Sequence, residues 1–365
     1  MPARGVGPAR LARLRAATQL LHRPASAKDP TAIARAIGGA QAQDVYAGPL
    51  HFRSRSRRLT AEDIRGARTE ERSLLRTWLM RMTIHLIPTE DAGWWLPLFE
   101  PGIERWSRTR LDQLGMPARD ADQALAVIGR ALADEGPLTR TEARERVERA
   151  GVRLNTQTGL HVVGLAVTSG MACLGPDRGK TTCLVRREDW LGKTPPFERD
   201  KALVELARVY IRAFAPATDR DFAYWSGLPM RDVRAGLEGI AHEIEEVRVG
   251  EQTMLAPRGG LPRLPKTGQV RMLGNFDTYL LGWKDRRFSV ADEHAVHVKE
   301  GGGGWIRPVI VEDGIVLGGW RSRRRGGRLE ITLNLPDAER ERIGAKIEDE
   351  IADIARFEGM ETRIP

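Results

Sequence analysis

The sequence predicts an α+β protein: three tandem winged-helix motifs followed by a C-terminal β-barrel-like domain. Two observations carry this reading. The order helix, helix, hairpin recurs from the N-terminus to about residue 264, and short apolar-rich runs crowd the chain after it. A chain of 365 residues is also too long for one core. The expected divisions are 1–118, 119–195 and 196–264 for the winged-helix units and 265–365 for the barrel with a terminal helix.

The first unit opens with "PARLARLRAATQLLH", a helix with Leu11, Leu14 and Leu21 on one face. Asp29 caps a second helix at Pro30, which runs toward Gly38. Thr60 with Asp63 caps a third. "RTWLMRMTIHLIP" then turns to β, alternating through Ile84 and Leu86, and Thr89 and Asp91 start a tryptophan-bearing helix, "AGWWLPLFEPGIERW". In the second unit Thr139 and Glu142 form a capping box for a helix ending at Gly151. Asn155 caps "TQTGLHVVGLAVTSG", which Gly170 stops. "MACLG" and "TTCLVR" form a hairpin around the turn "PDRGK". The third unit repeats the order. "FERDKALVELARVYIRAFA" is helical, Thr218 with Asp221 caps a short helix through "FAYWSG", and Pro229 pre-sets "MRDVRAGLEGIA". "EIEEVRV" and "TMLAP" close it as a hairpin.

From residue 268 six runs read as strands: "QVRMLG", "TYLLGWK", "AVHVK", "WIRPVIV", "GIVLGGWR" and "RLEITLNL". Asp313-Gly314 and Gly326-Gly327 are hairpin turns between them. The terminal helix carries Ile343, Ile347, Ile351 and Ile354 on the face toward that sheet, with an acidic face opposite.

The formal charge of +9 points to a polyanionic partner, nucleic acid ahead of acidic lipid. Two clusters, "RSRSRR" (Arg53, Arg55, Arg57, Arg58) and "RSRRRGGR" (Arg321, Arg323, Arg324, Arg325, Arg328), are expected to contact phosphates. No apolar run approaches the roughly 20 residues of a membrane span, and the N-terminus lacks a signal-peptide apolar block. The two cysteines, Cys173 and Cys183, have neither disulfide-framework nor zinc spacing. A reduced, cytoplasmic protein is expected. "ADEHAVH" (Asp292, Glu293, His294, His297) matches no zinc pattern, so neither metal nor other cofactor is expected. Trp94, Trp95, Trp225 and Trp283 read as core.

Winged helices place a helix in one groove of a duplex and a wing on its backbone. Three such units in one chain suggest a clamp around a single place on DNA, for which a monomer suffices. That favours a protein that inspects or processes double-stranded DNA over a dimeric regulator.

The segments "GGAQAQ", "LLRTWLMRMTIHLIPTED", "YWSGLP", "NFDTYLLGWKDR" and "WIRPVIVEDGIVLGGWR" together resemble the winged-helix DNA glycosylases of the AlkZ-like and YcaQ-like family, over nearly the full chain. The resemblance implies three winged-helix motifs with a C-terminal β-barrel. It also implies excision of N7-alkylated purines, including bulky natural-product adducts and crosslinks. The family's catalytic signature is a glutamine, one residue, then glutamine or aspartate; here it falls on Gln41 and Gln43.

Two neutral amides suit that reaction. A purine alkylated at N7 is already cationic and leaves as a neutral base, so no strong general acid is required. What remains is to hold a water on the sugar face opposite the base and to favour the developing positive charge. An amide oxygen can accept from the water and aim its dipole at C1′, while the NH₂ donates to phosphate or base. In an extended segment Gln41 and Gln43 point the same way, and Gly38-Gly39 would release the chain into one. The competing reading makes both glutamines helix caps bonded to nearby backbone. Asp44 is a rival catalytic carboxylate, facing away from Gln43 in the extended reading. His85 leaves the core face of its strand, with Arg81 and Thr83 beside it, as a lesion or phosphate contact or as a structural histidine.

The expected protein is a monofunctional glycosylase removing bulky N7-alkylguanine adducts of a DNA-alkylating secondary metabolite. Crosslink unhooking is left open, and the role would be self-resistance and base excision repair. The motif places no lysine for Schiff-base chemistry, so no lyase step is expected. The alternatives are a non-catalytic winged-helix DNA-binding protein or transcriptional regulator, and a protein that sequesters the genotoxin itself.

Overall fold

Side-chain caps set several of the helix starts. In the computed structural model, which describes residues 6–24, 26–179, 181–193, 196–264, 266–300 and 304–364, Asp29 accepts from Thr31 N at the head of the Pro30–Ala36 helix. Reciprocal capping boxes open the Arg140–Arg149, Thr156–Thr168 and Asp219–Ser226 helices at Thr139, Asn155 and Thr218. Thr60 and Asp63 bond the same way at the Ala61–Thr69 helix. Such caps are worth about 1 kcal/mol each. Residues 1–5, ahead of the expected first helix, and Lys180 of the "PDRGK" turn lie outside the described residues. No helix among those described is long and apolar enough to cross a membrane.

The chain groups into two units, residues 1–64 with 203–365, and residues 65–202. This grouping cuts across the four consecutive segments read from the sequence. The polypeptide passes from one unit to the other within the Ala61–Thr69 and Arg199–Phe214 helices.

In the 65–202 unit the strands run in the order Ile84–Pro88, Leu74–Trp78, Ala172–Arg178, Thr181–Arg186, Leu138–Thr139, every neighbour antiparallel. Helices Ala92–Gln113, Ala118–Glu135 and Thr156–Thr168 pack on one another. The Ala118–Glu135 helix is not among the elements read from the sequence. Its signal was present, since Ala121, Ala124, Leu125, Ile128, Ala131 and Leu132 are buried at helical spacing. Two expectations fare differently here. The helix–helix–hairpin order from Arg140 to Arg186 is present. However, the Thr156–Thr168 helix is buried from Val162 onward, and the hairpin is embedded in the sheet rather than free as a wing.

In the other unit, the Arg199–Phe214, Asp219–Ser226 and Met230–Gly239 helices lead into a separate two-stranded hairpin, Ile244–Val249 with Gln252–Pro257. The C-terminal strands form a half-barrel-like five-stranded sheet, whose two edge strands do not pair with each other among the described residues. Its order is Glu361–Arg363, Arg328–Asn334, Ile315–Arg325, Val309–Glu312, Val270–Leu273. Asp313 (φ 52°) and Gly314 (φ 86°) form one expected turn, and Gly326 (φ 57°) and Gly327 (φ 78°) the other. Ile343, Ile347, Ile351 and Ile354 of the Asp337–Glu358 helix are buried, as expected, and so is Glu350.

Two expected strands are not strands. "TYLLGWK" holds a 3-10 turn, Thr278–Leu280, capped by Asp277, and "AVHVK" is mostly the Ala295–Val298 helix. Short apolar runs do not distinguish strand from other buried backbone. In the first case aromatic packing decides. Tyr279 and Trp283 join Tyr210, Phe214, Phe222, Trp225 and Phe288 in one cluster of rings. Trp283 Nε1 donates to Phe214 O and Tyr210 Oη to Gly282 O, both at 3.0 Å. Trp95, Trp225 and Trp283 are core residues as read, and Trp94 is half-buried.

Candidate active site

The stretch that carries the glutamines begins where the Pro30–Ala36 helix ends. Gly38 (φ 74°) and Gly39 (φ 82°) turn the chain out of the helix. At Gly38 a Cβ would stand 3.1 Å from ring carbons of both Phe214 and Trp225, so the close approach also requires glycine. Ala40 and Gln41 are extended, and both are buried. Gln41 is 4 % exposed, and its Oε1 has no hydrogen-bond partner among the described residues. A buried unpaired amide oxygen costs about 1–3 kcal/mol, so such an atom calls for an explanation.

The extended run stops sooner than expected. The chain bends at Gln43 and Asp44, and Gln43 is exposed while Gln41 is not. The two glutamines therefore do not lie on one continuous strand face. The cause is Asp44, whose Oδ1 accepts from Tyr46 N (2.9 Å) and Ala47 N (3.2 Å) at the head of the Ala47–Arg53 helix. Its Oδ2 accepts from Asn275 Nδ2 at 2.9 Å. Asp44 is thus bound at both oxygens as the anchor of that helix.

That helix occupies the sequence read as basic surface, and two of its expected phosphate contacts are corrected. Arg53 and Arg55 are both fully buried. Arg55 reaches both oxygens of Asp277 (2.8 and 2.9 Å), together with Gln19 Oε1 and Thr278 Oγ1. Burial opposes ionisation of Asp277, but Arg55 outweighs it and holds the carboxyl down at about 2. Arg53 donates to Glu350 (2.9 Å), Asp353 (3.2 Å) and Met272 O. Burial likewise raises Glu350, and Arg53, Arg23 and Arg271 more than reverse it. Alternate arginines at the end of an apolar helix thus tie it to the "NFD" segment and to the terminal helix. Arg57 and Arg58 are exposed and stay available to a polyanion.

The second basic cluster lies differently. Arg321, Arg323, Arg324 and Arg325 are exposed at the end of the Ile315–Arg325 strand, which pairs with Arg328–Asn334. Arg321, Arg323 and Arg324 line, with Asp44, a cavity of about 850 Å³. Tyr46, Asn275, Trp305, Trp320 and Asn334 also line it. Its charged walls comprise Arg307, Arg321, Arg323 and Arg324 against Asp44 and Glu358, a positive excess. Arg324 is engaged already, paired with Glu358 and lying 4.7 Å over the Tyr46 ring. The sequence reading did not mark Asn275, Tyr46 or Trp305. Only the unusual pair of arginines after "GPLHF" hinted that this segment was anchored.

Arg81, Thr83 and His85 belong to the 65–202 unit. The expectation that they share one strand face is corrected. Arg81 (φ 53°) and Met82 (φ 60°) turn the chain between the two strands of that hairpin, and Thr83 Oγ1 donates to Met80 O at 3.0 Å. His85 does not leave the core face either. The whole Ile84–Pro88 strand is buried, so its alternation carries no inside–outside information. The His85 ring is 3 % exposed and its Nδ1 lies 3.0 Å from Thr83 O.

A family model described as DNA glycosylase AlkZ-like matches residues 34–357. An interstrand DNA cross-link repair glycosylase of Streptomyces sahachiroi is 33% identical over 315 residues, 80% of this chain and 81% of that protein. The structure of Streptomyces sahachiroi DNA glycosylase AlkZ superposes with a TM-score of 0.74 at 28% identity, covering 99% of this chain and 100% of that one. The chain belongs to the AlkZ-like DNA glycosylase family, and is a DNA-binding repair enzyme of that kind.

Proposed function

We propose that this glycosylase hydrolyses the N-glycosidic bond of bulky N7-alkylguanine adducts in double-stranded DNA, with Gln41 and Gln43 as its catalytic residues. The observation that carries the proposal is the Gln41 amide, buried yet with its Oε1 unpaired among the described residues. The C1′–N9 bond breaks, and its electron pair leaves with the purine and cancels the N7 charge. A water held by Gln41 Oε1 adds to C1′ and gives its proton to solvent. Gln43, exposed beside it, donates to the flanking phosphate. Asp44 is the anchor of the next helix rather than the base, because both of its oxygens are already bonded.

Arg321, Arg323 and Arg325, together with Arg57 and Arg58, hold phosphates in this account. Of the three winged-helix units read from the sequence, the third, 196–264, supplies the duplex contact. Its Met230–Gly239 helix exposes Arg231 and Arg234, and its hairpin forms a two-stranded sheet of its own. The relative's name makes interstrand crosslinks a second substrate to test. The enzyme acts as a cytoplasmic monomer, conferring resistance to an alkylating metabolite. Incubation with duplex carrying an N7-guanine adduct, followed by hot alkali, tests the reading. Strand breaks at the lesion and free alkylguanine are expected; tight binding without base release would leave a non-catalytic DNA-binding protein.

A further inference from the structure

Three residues beyond Gln43, the chain exposes Tyr46, whose surface is 55 % open. Its position is fixed twice over. Tyr46 N donates to Asp44 Oδ1, and Asn275 holds the other oxygen of Asp44. The Arg324 guanidinium lies over one ring face at 4.7 Å, and 55 % of Tyr46 stays open. Glu358 pairs with Arg324 and offsets its charge, so the ring keeps its attraction for a cation. The ring stands at the wall of the 850 Å³ cavity with Asn275, Asn334, Arg321 and Arg323, within the size range of pockets for drug-sized ligands. Opposite-charge neutralisation decides against the other large cavity as the pocket for the damaged nucleotide. There Arg15, Arg220, Arg234, Lys284 and Arg287 meet Asp219, Asp221, Glu238, Glu246 and Asp285.

We propose that Tyr46 is a stacking platform for a planar ring carried by the damaged nucleotide, either the cationic purine itself or the aromatic part of its N7 substituent. The proposal rests on the glycosylase reading and adds a residue that sets which lesions are held. An exposed, immobilised ring loses little entropy when a base stacks on it, and such stacking tolerates any base.

The test compares single-turnover base release from two duplexes, one with N7-methylguanine and one with an N7-guanine adduct bearing a fused-ring substituent. With enzyme below saturation, Tyr46→Leu and Tyr46→Gln are expected to lose about 10- to 100-fold, while Tyr46→Phe keeps its rate within about threefold because the ring and not the hydroxyl acts. Equal losses on both duplexes assign the ring to the purine, and a loss confined to the fused-ring adduct assigns it to the substituent. In a Gln41→Ala background, the affinity for the same duplexes should fall on adding Tyr46→Leu, a readout that does not depend on turnover. Unchanged release and affinity in folded Leu and Gln variants, with wild type active, would overturn the platform and leave the glycosylase reading standing. No release by wild type would instead remove the reading beneath it.

Discussion

Replacing Arg55 by methionine separates a buried tie from a DNA contact. Arg55 donates to His51 O, Ser54 Oγ, Gln19 Oε1, Thr278 Oγ1 and both oxygens of Asp277, at 2.8–3.1 Å. Both members of the pair are 0 % exposed. Methionine fills most of the volume but leaves Asp277 as an uncompensated buried carboxylate, which costs about 3–5 kcal/mol. At about 2 °C or more per kcal/mol for a chain of this size, the melting midpoint should drop by at least about 6 °C. Differential scanning calorimetry reads that drop, and adding Asp277→Asn should recover part of it. Titration of duplex DNA at several salt concentrations reads the other half. Since Arg55 touches no phosphate, the slope of log affinity against log salt should not change. An unchanged midpoint with a slope shallower by about 1 would refute the assignment and restore Arg55 to the DNA surface.

Further outcomes follow from the same geometry. The Arg321→Ala/Arg323→Ala/Arg325→Ala triple variant should melt close to wild type but show a salt slope shallower by up to about 3, near 0.9 per lost phosphate contact. Gly38→Ala must adopt φ 74° with its Cβ 3.1 Å from Phe214 and Trp225. About 1–3 kcal/mol of stability should be lost, with slower base release because Gln41 follows three residues on. Asp277 has its pKa lowered from 3.8 to about 2, so its contribution is fully present above about 4 and is lost as pH falls through about 2. The stability gap between wild type and Asp277→Asn should therefore shrink by about 2 kcal/mol across that window, as measured by urea unfolding. A gap that widens on acidification would reverse the sign.

Much of the fold was legible because it was written in local chemistry. The boxes at Thr139, Asn155 and Thr218 and the glycine turns after Asp313 and Arg325 need only neighbours in sequence. What failed depended on distant partners. Arg53 and Arg55 look like surface charge until Glu350 and Asp277 are placed beside them, more than two hundred residues away. "TYLLGWK" reads as a strand until the Tyr210 and Phe214 rings occupy its flanks. At the site, the glycine pair and the extended Ala40–Gln41 step were legible. The bend at Gln43 was not, because it is made by Asp44 reaching forward to Tyr46 and sideways to Asn275. That same bend demotes Asp44 from rival catalyst to anchor.

The central claim, catalysis by two neutral amides, is tested most directly by single-turnover rates on one N7-alkylguanine duplex for Gln41→Ala, Gln43→Ala and Asp44→Asn. The account predicts that the Gln41 variant loses on the order of 10²-fold or more in rate with DNA affinity retained, that Gln43→Ala is also impaired, and that Asp44→Asn stays within about tenfold of wild type. Full activity in Gln41→Ala together with loss in a folded Asp44→Asn would contradict it and hand the chemistry to the carboxylate.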